Sequence, residues 1–172
     1  METNLPLAER LRDLMQRDGL TLATMESCTG GLIASMLTDA EGAGYFLGGA
    51  VTYALSAKHL FGVPDALVRR CGVVSAEVAA SMAERAAAHF HADCGIGVTG
   101  VAGPGPEDGI PPGTAFAAVC MPDGRLVTRR ISVAADREGA KHGIACEAVR
   151  LLADALERPC ARAAVGSEAW VG

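Results

Sequence analysis

The sequence has no excess of positive charge and no concentrated basic region. Its 172 residues include 15 lysines and arginines against 20 aspartates and glutamates, for a net charge of -5 at pH 7. The basic pairs Arg69-Arg70 and Arg129-Arg130 are short and far apart, so we interpret them as solvated faces. Nucleic-acid-binding domains usually carry a basic stripe or patch. We therefore expect no nucleic-acid partner.

Long uncharged runs are also missing. The longest one, residues 42–57, is interrupted by glycines. It is too short to cross a bilayer, which takes about 20 apolar residues. The first residues lack the charged-then-apolar order of a secretory signal peptide. We therefore expect no membrane association and a cytoplasmic location.

Closely spaced cysteine pairs are absent, although the chain has six cysteines. Wide spacing without a secretory signal favours free thiols over three disulfides. His89, His91 and Cys94 lie close in sequence, but the histidines fall at a predicted helix end and the cysteine begins a predicted strand. A metal site needs three or four convergent ligands. We expect neither a metal nor an organic cofactor.

Hydrophobic periodicity and turn signals predict ten elements in the order α-β-α-β-α-α-β-β-β-α. The helices cover about 7–18, 31–37, 56–61, 75–90 and 136–156, and the strands cover 20–25, 45–53, 94–99, 114–121 and 125–134. The second strand is predicted to be buried, and Pro122-Asp123-Gly124 marks a hairpin turn. This order predicts a three-layer α/β/α sandwich with a mixed, mostly parallel sheet. We expect one domain over residues 1–172, with 157–172 as a tail that docks or frays.

The segment Glu26-Ser27-Cys28-Thr29-Gly30-Gly31 follows the first strand and leads into a helix. Three interpretations are open. The N–H groups at the helix start could hold an anion such as phosphate. Alternatively, Ser27 is a nucleophile and the same N–H groups stabilise an oxyanion. In the plainest case Ser27 or Thr29 only caps the helix.

Two further segments join this loop as candidates. Tyr53 ends a predicted strand and Lys58 lies in the next helix. Without a functional role, Tyr53 would be an ordinary interfacial tyrosine and Lys58 an ordinary solvated lysine. In the segment Val98–Pro106, the end of another predicted strand runs into a glycine loop. Such loops tend to meet at one edge of an α/β sheet, where ligands bind.

Five short motifs occur in a fixed order along the chain. They are Glu-Ser-Cys-Thr-Gly-Gly at 26–31, Val-Thr-Tyr at 51–53 with Lys58 five residues later, Gly-Val-Val-Ser-Ala-Glu-Val-Ala at 72–79, Val-Thr-Gly-Val-Ala-Gly-Pro at 98–104, and Pro-Gly-Thr at 112–114. Asp136-Arg137 follows them. Together they resemble the CinA C-terminal domain family, the nicotinamide-nucleotide amidases, over roughly residues 5–157. Larger family members have an additional N-terminal domain, so the chain looks like the stand-alone form.

The resemblance implies hydrolysis of nicotinamide mononucleotide to nicotinate mononucleotide and ammonia. The family's catalytic serine, tyrosine and lysine fall on Ser27, Tyr53 and Lys58, and its pocket threonine and arginine fall on Thr99 and Arg137. No metal is implied. The family tends to oligomerise, so we expect a homo-oligomer, a dimer or larger, in which the apolar segment 42–57 contributes to the interface.

The residue types fit this chemistry. Burial can lower the pKa of Lys58 until the neutral amine acts as base for Ser27, or a charged Lys58 can assist Tyr53, which then takes the proton. The N–H groups of Thr29–Gly31 are the expected oxyanion donors, and Cys28 beside them is a weaker candidate nucleophile. We expect the substrate phosphate near Arg137 and the loop that contains Gly100 and Gly103.

Two departures from the family pattern keep alternatives open. Ala54-Leu55-Ser56 replaces a polar run that usually contains asparagine, and Glu107-Asp108 stands where glycines are typical. These acids would repel a phosphate that faced them. The alternatives are a nucleotide-binding protein without turnover and an amidase for a different carboxamide.

Overall fold

The computed structural model describes residues 4–157. Within them the chain forms six α-helices, one short 3-10 helix at Ala43–Tyr45, and five strands. The elements are α1 Leu5–Asp18, β1 Leu22–Glu26, α2 Leu32–Thr38, β2 Phe46–Val51, α3 Leu55–Leu60, α4 Asp65–Cys71, α5 Ala76–Phe90, β3 Cys94–Val101, β4 Thr114–Cys120, β5 Leu126–Ser132 and α6 Arg137–Glu157. The tail predicted at 157–172 lies, apart from Glu157, outside the described residues.

The strands form one mixed sheet in the order β2-β1-β3-β4-β5. Strand β1 pairs in parallel with β2 and β3, whereas β4 is antiparallel to β3 and β5. Four of the five strands therefore run in one direction and only β4 opposes them. The mixed, mostly parallel sheet predicted from the element order is confirmed.

Helices cover both faces of this sheet. On one face α1, α2 and α6 pack together and contribute Leu11, Ile33 and Ile144 to the largest buried cluster. On the other face α4 and α5 contribute Val68 and Met82 to a second cluster. The predicted three-layer α/β/α architecture is therefore confirmed.

Two glycines in β3 allow α5 to lie directly on the sheet. A Cβ atom at Gly95 would overlap the carbonyl oxygen of Ala83, and one at Gly97 would overlap that of Ala79. Any larger side chain at either position would push the helix away from the strand. This close contact fixes the position of β3, whose carboxyl end carries the predicted site residues Thr99 and Gly100.

Several helix ends follow the sequence signals. Gly19 ends α1 in the left-handed conformation, and the Ser75 hydroxyl accepts a hydrogen bond from the N–H of Val78 at 3.3 Å. The sequence did not predict α4, because it is only seven residues long and follows the break at Pro64. So short a helix gives almost no periodic signal.

The prediction that the second strand is buried is wrong. Strand β2 is an edge strand whose alternate residues face solvent, with Leu47 45% and Val51 52% exposed. An edge strand has a neighbouring strand on one side only, so more of its surface remains open to solvent than that of a central strand. Neighbouring side chains nevertheless approach its glycines closely, since Phe90 packs against Gly48 and Thr24 against Gly49.

The connections place a crevice at the carboxyl ends of β1 and β3. Helix α2 follows β1 on one face of the sheet, whereas α5 lies on the other face and leads into β3. Neighbouring parallel strands whose helices lie on opposite faces form a switch point, where ligands of α/β proteins bind.

In residues 4–157 we find no helix that is both long and apolar enough to cross a membrane.

Candidate active site

A pocket of about 290 Å³ lies at this switch point. Of the eleven predicted site residues, eight line it: Ser27, Cys28, Tyr53, Lys58, Thr99, Gly100, Gly103 and Arg137. Thr29, Gly30 and Gly31 do not line it, because they turn away into the start of α2. The pocket also contains Val73 and Val74, which precede α5, and Glu107 from the glycine loop.

Ser27 and Lys58 meet inside the pocket. The Ser27 Oγ lies 2.9 Å from the Lys58 Nζ. Both residues are buried, with 7% and 1% of their surfaces exposed. Ser27 directly follows β1, and α3 carries Lys58 back toward that strand end. The two side chains are 31 positions apart in sequence, so the fold itself brings them together.

The remaining contacts of Lys58 define the geometry of its amine. Its Nζ donates to the backbone carbonyl of Thr52 at 2.6 Å and to that of Tyr53 at 3.2 Å. A carbonyl oxygen can only accept, so two N–H bonds are directed to these two groups. The third position on the nitrogen faces the Ser27 hydroxyl. In a neutral amine that position is a lone pair, which can accept the serine proton.

The surroundings of Lys58 favour the neutral amine. Burial lowers the pKa of Lys58 below its ordinary value, because desolvation penalises the charged form. The nearby Cys28 and Glu107 act in the opposite direction, but their effects are smaller. No carboxylate in residues 4–157 forms a salt bridge with the amine. The lysine therefore has the properties required of a general base.

Tyr53 does not join this buried pair. The residue is 61% exposed, and its hydroxyl is hydrogen-bonded to Arg137 at 3.0 Å. The structure therefore gives no hydrogen bond between the Tyr53 hydroxyl and either Ser27 or Lys58, although the sequence offers Tyr53 as one of two candidate bases. Tyr53 follows the edge strand β2, so its ring lies at the rim, and only its backbone carbonyl contacts Lys58.

The start of α2 is occupied by a side chain of the protein itself. The buried Glu26 carboxylate accepts hydrogen bonds from the Thr29 hydroxyl at 2.7 Å and from the N–H groups of Gly31, Ile33 and Ala34 at 2.9–3.1 Å. These donors are not available to an external anion. The interpretations of this loop as a phosphate site, and of Ser27 or Thr29 as the cap, are both wrong, because Glu26 from the strand fills that position.

The donors near Ser27 differ from those expected. The N–H of Gly31 is bound by Glu26, and that of Gly30 donates to the Ser27 carbonyl at 3.1 Å. Among the described residues, the N–H groups of Cys28 and Thr29 donate neither to a backbone carbonyl nor to Glu26, and both lie beside the Cys28 thiol. They are the backbone donors left for an oxyanion beside Ser27.

The second glycine loop forms the opposite part of the pocket. The Thr99 hydroxyl donates to the Val73 carbonyl at 3.0 Å, which ties β3 to the segment before α5. The Gly103 carbonyl accepts a hydrogen bond from the Arg137 guanidinium at the start of α6. Gly100 packs so closely on Ala115 that a Cβ atom would overlap it. Arg137 thus holds this loop and Tyr53 at the same rim.

Cys28 is poorly suited to act as a nucleophile. Burial raises its pKa to about 12, so the group is a thiol at neutral pH. The five described cysteines, residues 28, 71, 94, 120 and 146, are all free, and Cys160 lies outside the described residues. No group of three or more His, Cys, Asp or Glu side chains in residues 4–157 could hold a metal ion.

Sequence reasoning gave no role to Glu26 and named Glu107 only as a departure from the family. A signal for Glu26 existed, since it stands five residues before Gly31 at the end of a strand. A glutamate side chain at that position, followed by small residues, can reach the N–H groups at the start of the next helix. Glu107 gave no positional signal, because the path of a long loop is not encoded in local propensity.

Comparison with known proteins places this geometry in a family context. Residues 4–156 match the family described as "CinA C-terminal domain". The chain is 43% identical to a CinA-like protein of Mycobacterium sp. (strain MCS) over 142 residues, which cover 81% of this chain and 34% of that protein. It is 50% identical to a CinA-like protein of Geobacter sulfurreducens over 109 residues, 62% of this chain and 26% of that protein. The chain therefore spans about a third or less of the length of these relatives.

Solved structures agree with the fold. The competence/damage inducible protein CihA from Agrobacterium tumefaciens superposes with a TM-score of 0.85 at 31% identity, covering 92% of this chain and 98% of that one. A competence-damaged protein (CinA) superfamily protein from Escherichia coli superposes with a TM-score of 0.79 at 35% identity, covering 88% and 91%. The similarity extends over nearly the whole of both chains.

Proposed function

The chain belongs to the CinA C-terminal domain family, and we propose that it is an amidase that hydrolyses the carboxamide of nicotinamide mononucleotide. The products are nicotinate mononucleotide and ammonia. The observation that carries the proposal is the buried hydrogen bond of 2.9 Å between Ser27 and Lys58. A serine paired with a desolvated amine is suited to acyl transfer, and the resemblance in the sequence motifs supplies the substrate.

In the first half of the reaction, the neutral Lys58 amine takes the Ser27 proton as Oγ attacks the amide carbon. The amide C–N bond then breaks, and the departing nitrogen takes that proton from Lys58 and leaves as ammonia. This step leaves the acyl group as an ester on Ser27. In the second half, water gives a proton to Lys58 and attacks the ester. Oγ recovers its proton, and the carboxylate product is released.

Backbone N–H groups stabilise the charge that develops on the carbonyl oxygen. Cys28 and Thr29 supply the donors, since their N–H groups bind no backbone carbonyl in the described residues and contact only the Cys28 thiol, a weak acceptor. Glu26 supports them indirectly by fixing the loop on α2. Removing one such donor in an acyl-transfer enzyme costs about 10²–10³ in kcat.

The rim of the pocket receives the rest of the nucleotide. Arg137 uses guanidinium N–H groups for the Gly103 carbonyl and the Tyr53 hydroxyl, and its remaining donors are suited to a phosphate. Tyr53 shapes the mouth of the pocket and does not exchange protons with Ser27. Lys58 is therefore the base in this mechanism, one of the two routes that the sequence left open.

Ammonia release from nicotinamide mononucleotide tests the proposal. We expect turnover by the wild-type protein and a loss of at least about 10³-fold for Ser27→Ala. Ser35→Ala changes an exposed serine of α2 outside the pocket and should retain full activity. Equal rates for the wild type and Ser27→Ala, or no release above a blank, would contradict the proposal.

A second candidate is an amidase for a different carboxamide, and the presence of Glu107 in the pocket favours it. A carboxylate there opposes a phosphate placed beside it. A screen of small amides separates the two, because this candidate requires faster turnover of an amide without phosphate. Calorimetric binding of the mononucleotide without product would instead identify a binding protein.

We also propose that the protein assembles as a homo-oligomer in the cytoplasm. Exposed apolar side chains on β2 and α3 support this, among them Leu47, Val51 and Leu60. Leu60 is 80% exposed, and exposed apolar residues mark an interaction site where they form a contiguous patch. Analytical ultracentrifugation gives the mass directly, and a purely monomeric species would reject the assembly.

A further inference from the structure

The pocket contains one charged group that the proposed reaction does not use. Glu107 lines the pocket, whereas the neighbouring Asp108 does not. The backbone holds Glu107 in place, because its N–H donates to the Ile110 carbonyl at 3.1 Å and its carbonyl accepts from the Ile110 N–H at 2.8 Å. This small bridge inside a long loop fixes the backbone of Glu107, an exposed residue that lines the pocket.

Within the described residues, the Glu107 carboxylate has no partner. It forms neither a salt bridge nor a side-chain hydrogen bond within residues 4–157. Arg137, the guanidinium in the same pocket, is directed to Gly103 and Tyr53. The negative charge of Glu107 nevertheless acts within the pocket, since it opposes the lowering of the Lys58 pKa. A ligand with a positive charge would therefore find an unpaired carboxylate near the reacting groups.

We propose that Glu107 is a specificity-determining residue that selects carboxamides carried on a positively charged ring, such as an N-substituted pyridinium. The inference rests on the proposed function and names the substrate feature that the site reads. A pyridinium brings its cation within a few bonds of the carboxamide, so both groups enter the pocket together. The carboxylate also directs a phosphate away from itself, toward Arg137.

The oxidised and reduced forms of nicotinamide mononucleotide provide a matched pair of ligands. Both have the same carboxamide, ribose and phosphate, but the ring is a cation in the oxidised form and neutral in the reduced form. Calorimetry on the Ser27→Ala protein measures binding of each without turnover. The same measurement is then made with Glu107→Gln and with Asp108→Asn added to that background.

Glu107→Gln should weaken binding of the oxidised nucleotide about three- to fivefold, as expected for a partly solvated charge pair. Binding of the reduced nucleotide should be unchanged, and the difference should shrink at high salt. Asp108→Asn is the matched control, because it removes a neighbouring charge outside the pocket and asparagine tolerates the positive φ of 49° at that position. It should leave both affinities unchanged.

An equal effect of Glu107→Gln on both nucleotides, or no effect on either, would overturn the inference. Failure of both nucleotides to bind the Ser27→Ala protein would also overturn it. Ammonia release by the wild-type protein reports separately on the proposed function. Charge discrimination without ammonia release would reject the amidase and keep the role of Glu107, whereas release without discrimination would reject only that role.

Discussion

At the scale of single residues, the buried amine of Lys58 dominates the account. It contacts two carbonyls and the Ser27 hydroxyl, and within the described residues no carboxylate pairs with it. A charged lysine in this position would be costly, so the fold favours the form that can act as a base. The burial that suits Lys58 to act as a base also imposes a dependence of stability on pH.

The sign of that dependence follows from the lowered pKa. Between the folded and the unfolded pKa of Lys58 the unfolded chain binds more protons, so the free energy of unfolding rises with pH. The cost of the buried charge is fully present below the folded pKa and disappears above the unfolded value of about 10.4. Each unit of lowering corresponds to about 1.4 kcal/mol.

Lys58→Met removes this titration. The wild type should gain stability relative to the variant as pH rises toward the unfolded pKa, because only the wild type loses a buried charge. The hydrogen bonds lost in the variant add a constant that does not change with pH. Urea unfolding of both proteins across this range measures the difference, and parallel curves would contradict the lowered pKa.

Glu26 should be important for stability as well as for the position of the loop. Glu26→Gln replaces a charged acceptor of several hydrogen bonds by an amide that presents N–H groups to other donors. We expect a loss of about 2–3 kcal/mol in unfolding free energy. Glu77→Gln, at an exposed position in the first turn of α5, should cost less than about 1 kcal/mol. Similar losses for both would show that burial of Glu26 is unimportant.

Some residue roles could be predicted from the sequence and others could not. The motifs identified Ser27 and Lys58, and the fold brings them together. Tyr53 was misplaced because a sequence does not reveal that its strand lies at the edge of the sheet. Glu26 was missed as a capping residue because it ends a strand and lies several residues before the helix start, outside the usual N-cap position.

At the scale of elements, the close packing of α5 on β3 positions half of the site. Gly97→Ala should force the helix and strand apart and destabilise the protein by about 1–3 kcal/mol. It should also reduce activity, because β3 carries Thr99 and leads into the Gly103 loop. Gly44→Ala is the control, since nothing lies near a Cβ atom there and the residue has no positive φ. A Gly97→Ala protein with unchanged stability would contradict this packing.

Element prediction succeeded where sequence signals are strong and local. The turn predicted at Pro122-Asp123-Gly124 is confirmed, and the helix predicted over 75–90 agrees with α5, which Ser75 caps. Helix α4 was missed because two turns give little periodicity, and the burial of β2 was misjudged because its apolar run resembles a central strand. Strand order depends on long-range pairing, which local patterns do not encode.

At the scale of the whole molecule, the placement of helices on both faces of the sheet explains why eight of the eleven predicted site residues line one pocket. The ends of β1 and β3 open between helices on opposite faces, and residues from distant parts of the chain meet there. Two exposed apolar residues, Val51 and Leu55, lie two positions before and after Tyr53 in the sequence, and Tyr53 lines this pocket. An assembly that buried these two residues would therefore border the pocket.

The central claim is that Lys58 is a buried amine ready to accept the Ser27 proton, and its titration tests this most directly. Lys58 and Lys141 are the only lysines in the chain, so side-chain NMR of lysine-labelled protein yields two signals, and Lys141→Arg identifies them. The account predicts that the Lys58 amine loses its proton well below the ordinary lysine pKa of about 10.4. An amine that stays charged up to or beyond that value would contradict it.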